Sequence, residues 1–548
     1  MTHKDQSKIP KPKHIKLRIN GSDIEYGLGV TKRDQFSGDP IIFYQTHPPK
    51  IVEAMLPAEN KRILPGARVI LPNGGLIYSN TGNHVEHATA ECLGARELAL
   101  HETAGLEILT EGVNRFNQSN PNLPKVSLHK TNCSCELDDN KRPLYYWGSH
   151  ASFLTLRTVT IDLRENLMKE FLMSGWPLIG NGWFKVVDKK YLRFIFSQRA
   201  EIISASRGAT STCPTAGNNS RPMFHLRDEP HADNLVWQRI HDISLNANLS
   251  QYQIFLKYGI YDLVLAMVEA KDFLRPLPLI DHIALGCGTT TAAYTTASLI
   301  FNEDICFQRP VKLQNGRSWT SIDFQLHYFK EACRFFAQGR GTLTPERKIV
   351  LNFWGKILRA LKRWDLPYLA QYLDWAAILY YEVLPRLRRL GFDPTLLFLP
   401  PSQSDHSESL ALQGIPYDHQ FIRKEKDENL LAYFLYFITS YANVDTSASP
   451  YGLYLRQNKI KSIFTRAEIE FAKNNPPART RATLREEIIR HPPENTTLQT
   501  WCWDKLYFAI SNLVPSICFD LPNPYRYGLK NGIEEFLYSP PPSSFTPT

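Results

Sequence analysis

The chain reads as an α+β protein with its strands concentrated early, and three observations predict this. Ile15, Leu17 and Ile19, then Ile24 and Tyr26, alternate with polar residues about a Gly21 turn, as a half-buried strand does. Pro72-Asn73-Gly74-Gly75 is a turn signal, and residues 76–79 read as the strand that follows it. Helical periodicity is clearest over residues 90–109, 235–269, 345–364 and 368–390.

Length and composition bound what these elements can build. At 548 residues the chain exceeds one ordinary core, and 43% hydrophobic residues can fill a large domain with a smaller one beside it. The apolar runs, such as 430–437, are far shorter than a membrane span requires. Residues 1–14 form a basic, Pro-containing tail without the apolar stretch of a secretory signal, so the cytoplasm is the expected address. Nine cysteines, scattered singly apart from Cys133 and Cys135, indicate reduced thiols rather than a disulfide framework. A formal charge of +9 favours an acidic partner without choosing among partners.

Breaks in pattern divide the chain into a basic tail (1–14), a main domain (15–473), a small C-terminal domain (474–540) that opens at Asn474-Asn475-Pro476-Pro477, and a Pro- and Ser-rich tail (541–548). Within the main domain, residues 400–420 read as an exposed insertion and 213–220 as a shorter loop.

Several short segments concentrate chemistry. Asp23 and Glu25 lie two apart on a strand and project from one face while Ile24 points the other way. Two solvated acids on a strand edge would look the same. Residues Leu76, Tyr78 and Asn80 share a face of the next strand and are followed by His84, Glu86, His87, Thr89 and Glu91. This oxygen-rich set suits magnesium better than zinc. The run Arg227-Asp228-Glu229-Pro230-His231-Ala232-Asp233 packs cation, carboxylates and imidazole ahead of a helix-like stretch, and suits phosphate and metal chemistry. No HExxH, Walker P-loop or GxGxxG is present, and Gly286-Cys287-Gly288-Thr289 lacks the P-loop lysine. Lys356, Arg359, Lys362 and Arg363 raise nucleic-acid binding as an alternative, but they equally form the polar face of a helix that buries Phe353, Ile357, Leu358 and Leu361.

In order along the chain stand GSDIEYG (21–27), NGGLIYSNTGNHVEHATAEC (73–92), WGSHASF (147–153), SQRAE (197–201), SRPMFHLRDEPHAD (220–233) and RIHDISLNANL (239–249). LDW (373–375), YGLYLRQ (451–457), PPARTRATLREE (476–487) and WDKLYF (503–508) follow. Through these segments, from about residue 18 to 510, the sequence resembles the family of the ligase and the deamidase/depupylase for Pup, the prokaryotic ubiquitin-like protein. The resemblance implies a glutamine-synthetase-like fold: a curved, mainly antiparallel sheet cradling Mg2+ and ATP, helices behind it, and a small C-terminal domain. It also implies an ATP-dependent carboxylate–amine ligase that phosphorylates the terminal side-chain carboxylate of a small acidic modifier and joins it to a lysine of a target protein. By the same resemblance, magnesium ligands map onto Asp23, Tyr78 and Glu86, with Glu25 beside them, and ATP contacts map onto Thr89 and Trp503. Arg199, Arg227, His150, His241 and Arg481 fall in other motifs, where phosphate or carboxylate contacts are implied. No membrane or nucleic-acid partner is implied, and a monomer is expected.

The sequence also departs from the family pattern. Asn80 stands where the family carries its catalytic aspartate, and an amide neither takes up a proton nor acts as that nucleophile. Leu76 replaces an arginine, Asp23 a glutamate, and only His150 survives of a following motif. Two readings result: an active ligase whose amine is deprotonated by another group, Glu25 or His84 among them, or a degenerate relative that binds without turnover. Persistence of Asp23, Glu25, Tyr78, Glu86, Arg199 and Arg227 as a set favours the first. Depupylation is disfavoured by Asn80 and by the short stretch between Gly27 and Asn73.

Overall fold

A computed structural model describes residues 15–33, 40–44, 48–55, 63–64, 67–80, 82–187, 191–208, 221–225, 236–270, 279–397, 415–416, 430–510, 513–521 and 523–525. The basic tail, the 213–220 loop, the run Arg227 to Asp233, most of the 400–420 insertion and the C-terminal tail lie outside them.

The first strand, Ile19–Arg33, is the spine of a 12-stranded sheet. Across it the order runs Ile203–Gly208, Arg221–His225, Trp237–Asp242, Ser149–Leu156, the first strand, Val85–Ala88, Leu76–Ser79, Arg68–Ile70 and Ile63–Leu64. Pro40–Tyr44, Cys92–Leu93 and Val126–His129 also pair with the first strand. Every pairing is antiparallel except that of Ile203–Gly208 with Arg221–His225. The first strand follows from its alternation: Ile24, Tyr26, Leu28 and Val30 are fully buried at every second position. Gly21 does not make the expected turn. It sits inside the strand opposite Ser152, where an added Cβ would come within 3.8 Å of the Thr89 hydroxyl.

Behind the sheet, Gln251–Glu269 is buried on nearly all sides, and Ala95–Ser119 packs along it. A helix apolar all round is a core helix rather than a surface one. Its far end is tied to the start of the first strand by a buried charge network. Arg18 Nε and Arg347 Nε meet the two oxygens of Asp262 at 2.8 and 2.7 Å, and Arg18 Nη1 meets Glu269 at 2.7 Å.

The helical expectations hold unevenly. Pro345–Lys362 is a helix capped by Thr344, with Ile357, Leu358 and Leu361 buried and Lys356, Arg359, Lys362 and Arg363 exposed, the amphipathic arrangement. The helix expected from residue 90 starts only at Ala95, after the strand Cys92–Leu93, and runs on to Ser119. The helix expected over 235–269 is a strand, Trp237–Asp242, then an extended stretch, then Gln251–Glu269. Ile243, Leu245, Ala247 and Leu249 alternate with Ser244, Asn246 and Asn248, a period of 2 in a stretch buried throughout, which a helical reading of 3.6 overran. Over 368–390 the helix is broken into Leu366–Leu369, Asp374–Ile378, a π-helical Leu379–Val383 and Leu384–Arg389. The break follows Leu373, held extended while Asp374 accepts the backbone N–H groups of Leu249 and Ser250.

Toward the C-terminus, Arg481–Arg490 and the antiparallel strands Thr496–Cys502, Lys505–Ile510 and Leu513–Asp520 gather a second core of Leu484, Ile488, Trp501, Leu506, Phe508, Phe519 and Leu521. This core is shared with the main sheet: Ile70, Leu76 and Ala88, aligned across three strands, belong to it. Leu76 is therefore a core residue here. A buried clamp fastens the two parts: Glu91 receives Arg481 Nε at 2.6 Å and Arg485 Nη2 at 2.7 Å, and Arg485 lies against the rings of Trp501 and Trp503.

These two networks make the fold's stability testable. Asp262→Ala leaves Arg18 and Arg347 without their shared anion and is expected to lower unfolding stability by about 3–5 kcal/mol in urea denaturation. Glu91→Gln is expected to cost a similar ~3–5 kcal/mol at neutral pH. Burial raises the Glu91 carboxyl, but Arg485 and Arg481 outweigh it and hold it well below the carboxylate range. A carboxyl depressed in the folded state stabilises fully above its unfolded pKa of about 4.3 and loses that contribution as the pH falls further. The difference between wild type and Glu91→Gln is thus expected to be constant from about pH 6 to 8 and to shrink below about pH 4, a trend read from denaturation midpoints across that range.

Candidate active site

Residues paired across a sheet point to the same side, so register assembles the site. Tyr78 pairs with Glu86 and Glu86 with Glu25, while Asp23 pairs with His150. Farther along, Ser152 pairs with His241 and His241 with His225. Arg68, Tyr78, Glu86, Glu25, Asp23, His150, Ser152, Arg239, His241 and His225 therefore share one face. The opposite face carries Ile24, Ile77, Ala151 and Phe153 into the core.

The acidic half lies on the first strand and the hairpin beside it. Burial, and then the charges of Glu25 and Asp23, push the Glu86 carboxyl well above its ordinary range, with Tyr78 and Asn80 beside it opposing the shift. Burial also raises Asp23, with Arg239 opposing and Glu25 adding to the shift. Glu25 is held from two sides: Asn80 Nδ2 donates to Oε1 at 2.7 Å and the Gly148 N–H donates to Oε2. Among the described residues, no three His, Cys, Asp or Glu side chains converge closely enough to enclose a metal ion. The donor set nonetheless fits magnesium, a hard cation that keeps several waters and needs only one or two carboxylates. Like charges crowded into a buried row are the arrangement that a divalent cation relieves.

The basic half adjoins it. The His150 and His241 rings lie 5.1 Å apart and those of His241 and His225 4.4 Å. Ser152 Oγ and Arg239 Nη2 reach His241 Nδ1 at 3.0 and 2.6 Å. Burial, followed by the charges of Arg199, His225, Arg221 and Arg239, drives the His150 imidazole well below its usual pKa, so it is neutral at physiological pH. Arg199 is buried beneath this half, where it donates to the carbonyls of Trp147 and Ile243, while its Nε has no hydrogen-bond partner among the described residues. Burial and the neighbouring Arg221 bring its pKa down to about 10.

Between the halves and the C-terminal strands opens a cavity walled by Asp23, Thr89, Ser152, Arg239, Arg481 and Trp503 among others. Thr89 Oγ1 accepts the Ser22 N–H at 2.9 Å, and the Glu91 clamp sets Arg481 and Trp503 on the far wall.

Of the residues singled out from sequence, Asp23, Glu25, Tyr78, Asn80, Glu86, His150 and His241 come together on the sheet, Thr89, Arg481 and Trp503 reach the cavity wall, and Arg199 lies just beneath. Arg481 is already engaged by Glu91 and by the Leu521 carbonyl at 3.1 Å. Arg227 is outside the described residues. Sequence reasoning missed Arg239, Ser152, Arg221 and His225. Strand alternation in RIHDIS would have put Arg239 on the face of His241, but a helical reading of that stretch hid it.

The family model for Pup-ligase protein matches residues 18–391 and 437–507. A Pup–protein ligase of Geodermatophilus obscurus is 26% identical over 496 residues, spanning 89% of this chain and 93% of that protein. Among solved structures, the complex between Pup and its ligase PafA matches with a TM-score of 0.72 at 22% identity over 96% of this chain and 92% of its own. PafA in complex with ADP matches with a TM-score of 0.65 at 23% identity, covering 89% of this chain and 93% of its own. The mainly antiparallel sheet with helices behind it is the fold those structures share. A family match over most of the length, reaching from the first strand to the strands that carry Trp503, includes both halves of the site: this chain belongs to the Pup-ligase protein family.

Proposed function

We propose that this chain is an ATP- and Mg2+-dependent ligase that activates the C-terminal side-chain carboxylate of a small acidic Pup-like modifier as an acyl phosphate and joins it to a lysine of a target protein. The observation that carries this reading is the split of one sheet face into an acidic and a basic half beside a cavity. Phosphoryl transfer to a carboxylate asks chiefly for positioning and charge neutralisation, and the two halves supply complementary parts of both.

In this reading Asp23, Glu25 and Glu86, with the Tyr78 hydroxyl, would hold magnesium, which would supply charge neutralisation for the phosphates. Thr89 and Trp503 border the nucleotide, Trp503 by resemblance to the family's ATP contact. Arg199 and Arg239 offset negative charge developing during transfer, and Arg227 and Arg481 complete the set by resemblance. His150, a neutral imidazole, and His241 beside it face the incoming carboxylate. The PafA structures with ADP and with Pup lend this assignment support from the relatives. The basic net charge of +9 matches an acidic modifier. Action as a monomer in the cytoplasm belongs to the same proposal; among the described residues no helix is long and apolar enough to cross a membrane.

Calorimetric titration of ATP into the full chain, with and without Mg2+, tests the reading. Magnesium-dependent binding is expected in the wild type and is expected to weaken by about 10- to 100-fold in Glu86→Ala. Adding an acidic modifier that ends in Gly-Glu, with hydroxylamine present, is expected to yield a modifier hydroxamate and ADP. A wild type that binds no ATP in the presence of Mg2+ would overturn the assignment.

A further inference from the structure

Asn80 lies between the strands Leu76–Ser79 and Val85–Ala88, where the acidic half of the face meets the turn, and its side chain is committed in two opposite senses. Oδ1 accepts the N–H groups of Gly82 and His84, each at 2.9 Å, which fixes the turn. Nδ2 donates to Glu25 Oε1 at 2.7 Å, and Glu25 pairs across the sheet with Glu86. Only an amide meets these demands together. An aspartate could keep the turn contacts, but as an acceptor-only group it would bring another carboxylate against Glu25 and Glu86. Alanine would keep neither set. With its oxygen occupied by two backbone donors and its nitrogen turned toward carboxylates, this side chain has no capacity to receive a proton from an attacking amine.

We propose that Asn80 is a positioning residue of the ligation reaction, a hydrogen-bond donor that ties the turn to Glu25 and aligns Glu25 with Glu86, and that the attacking amine gives its proton to solvent rather than to position 80. This rests on the ligase reading. In the transfer step the neutral amine nitrogen forms a bond to the acyl carbon and the bond from that carbon to the phosphate oxygen breaks. Phosphate leaves with the electron pair, and the extra N–H proton passes to water or buffer base. The acceptor must then arrive deprotonated, so the rate follows the small neutral fraction of a lysine whose pKa is about 10.4.

The test compares wild type, Asn80→Ala and Asn80→Asp as full chains, reading Mg-ATP affinity by calorimetry, folding by thermal melting, and ligation rate from pH 6.5 to 9.5. The wild-type rate is expected to climb about tenfold per pH unit over this range, as the neutral amine does. Asn80→Ala is expected to melt cooperatively, to bind Mg-ATP about tenfold more weakly and to keep the steep pH dependence. Asn80→Asp, which can keep the turn, is expected to flatten the profile by supplying a proton acceptor. A wild-type rate already level between pH 7 and 9, or Mg-ATP affinity unchanged in Asn80→Ala, would overturn the inference while leaving the ligase reading intact. A wild type that binds no Mg-ATP would overturn both.

Discussion

Three carboxylates held against their mutual repulsion are the constraint on which the rest of this structure depends. Asp23, Glu25 and Glu86 sit on adjacent strands of one sheet, and burial together with their neighbours' charges raises Asp23 and Glu86. Such a row disperses unless the backbone beneath it is rigid. The first strand provides that rigidity, paired on both edges by Val85–Ala88 and Ser149–Leu156. Its opposite face is sealed by fully buried Ile24 and Tyr26, and at its beginning Arg18 is locked to Asp262 and Glu269. Local donors then absorb part of the charge: Asn80 and the Gly148 N–H both donate to Glu25.

The C-terminal strands serve the same constraint from outside. Their core is completed by Ile70, Leu76 and Ala88, which lie on the functional face at the end of the sheet away from the histidines. Covering that end makes a cavity wall from what would otherwise be open sheet. Two guanidiniums are drawn to a single buried acid, Glu91, and this fixes Trp503 beside the cavity. Leu76 is an apolar contact to the second core, while Arg239 and Arg481 stand on the cavity wall.

Much of this was legible locally. The alternation through Ile24 and Tyr26 announced the first strand and put Asp23 and Glu25 on one side, because the pleat has a period of two whatever the partners are. The amphipathic helix Pro345–Lys362 was equally plain, with Pro at its start and Thr344 before it. Residues 235–250 were misread because buried strands and core helices are both dense in apolar residues, and the helix Gln251–Glu269 that follows lent its character to the window. That one error concealed Arg239 and the strand that brings His241 to His225 and Ser152.

By itself the sequence determined the strand and helix signals, the oxygen-rich chemistry of the acids around residues 23–25 and 78–91, and, through its ordered motifs, the family. Those properties follow from residue type and short spacing. Only the tertiary structure decided that Glu25, Glu86 and Tyr78 form one row, that His150, His225 and His241 gather beside it, and that Glu91 holds Arg481 and Arg485 nearly four hundred residues away in the chain. Register and long-range ion pairing are set by which backbone groups find each other across a folded sheet, and shifting a strand by one residue would turn every one of its side chains to the other face.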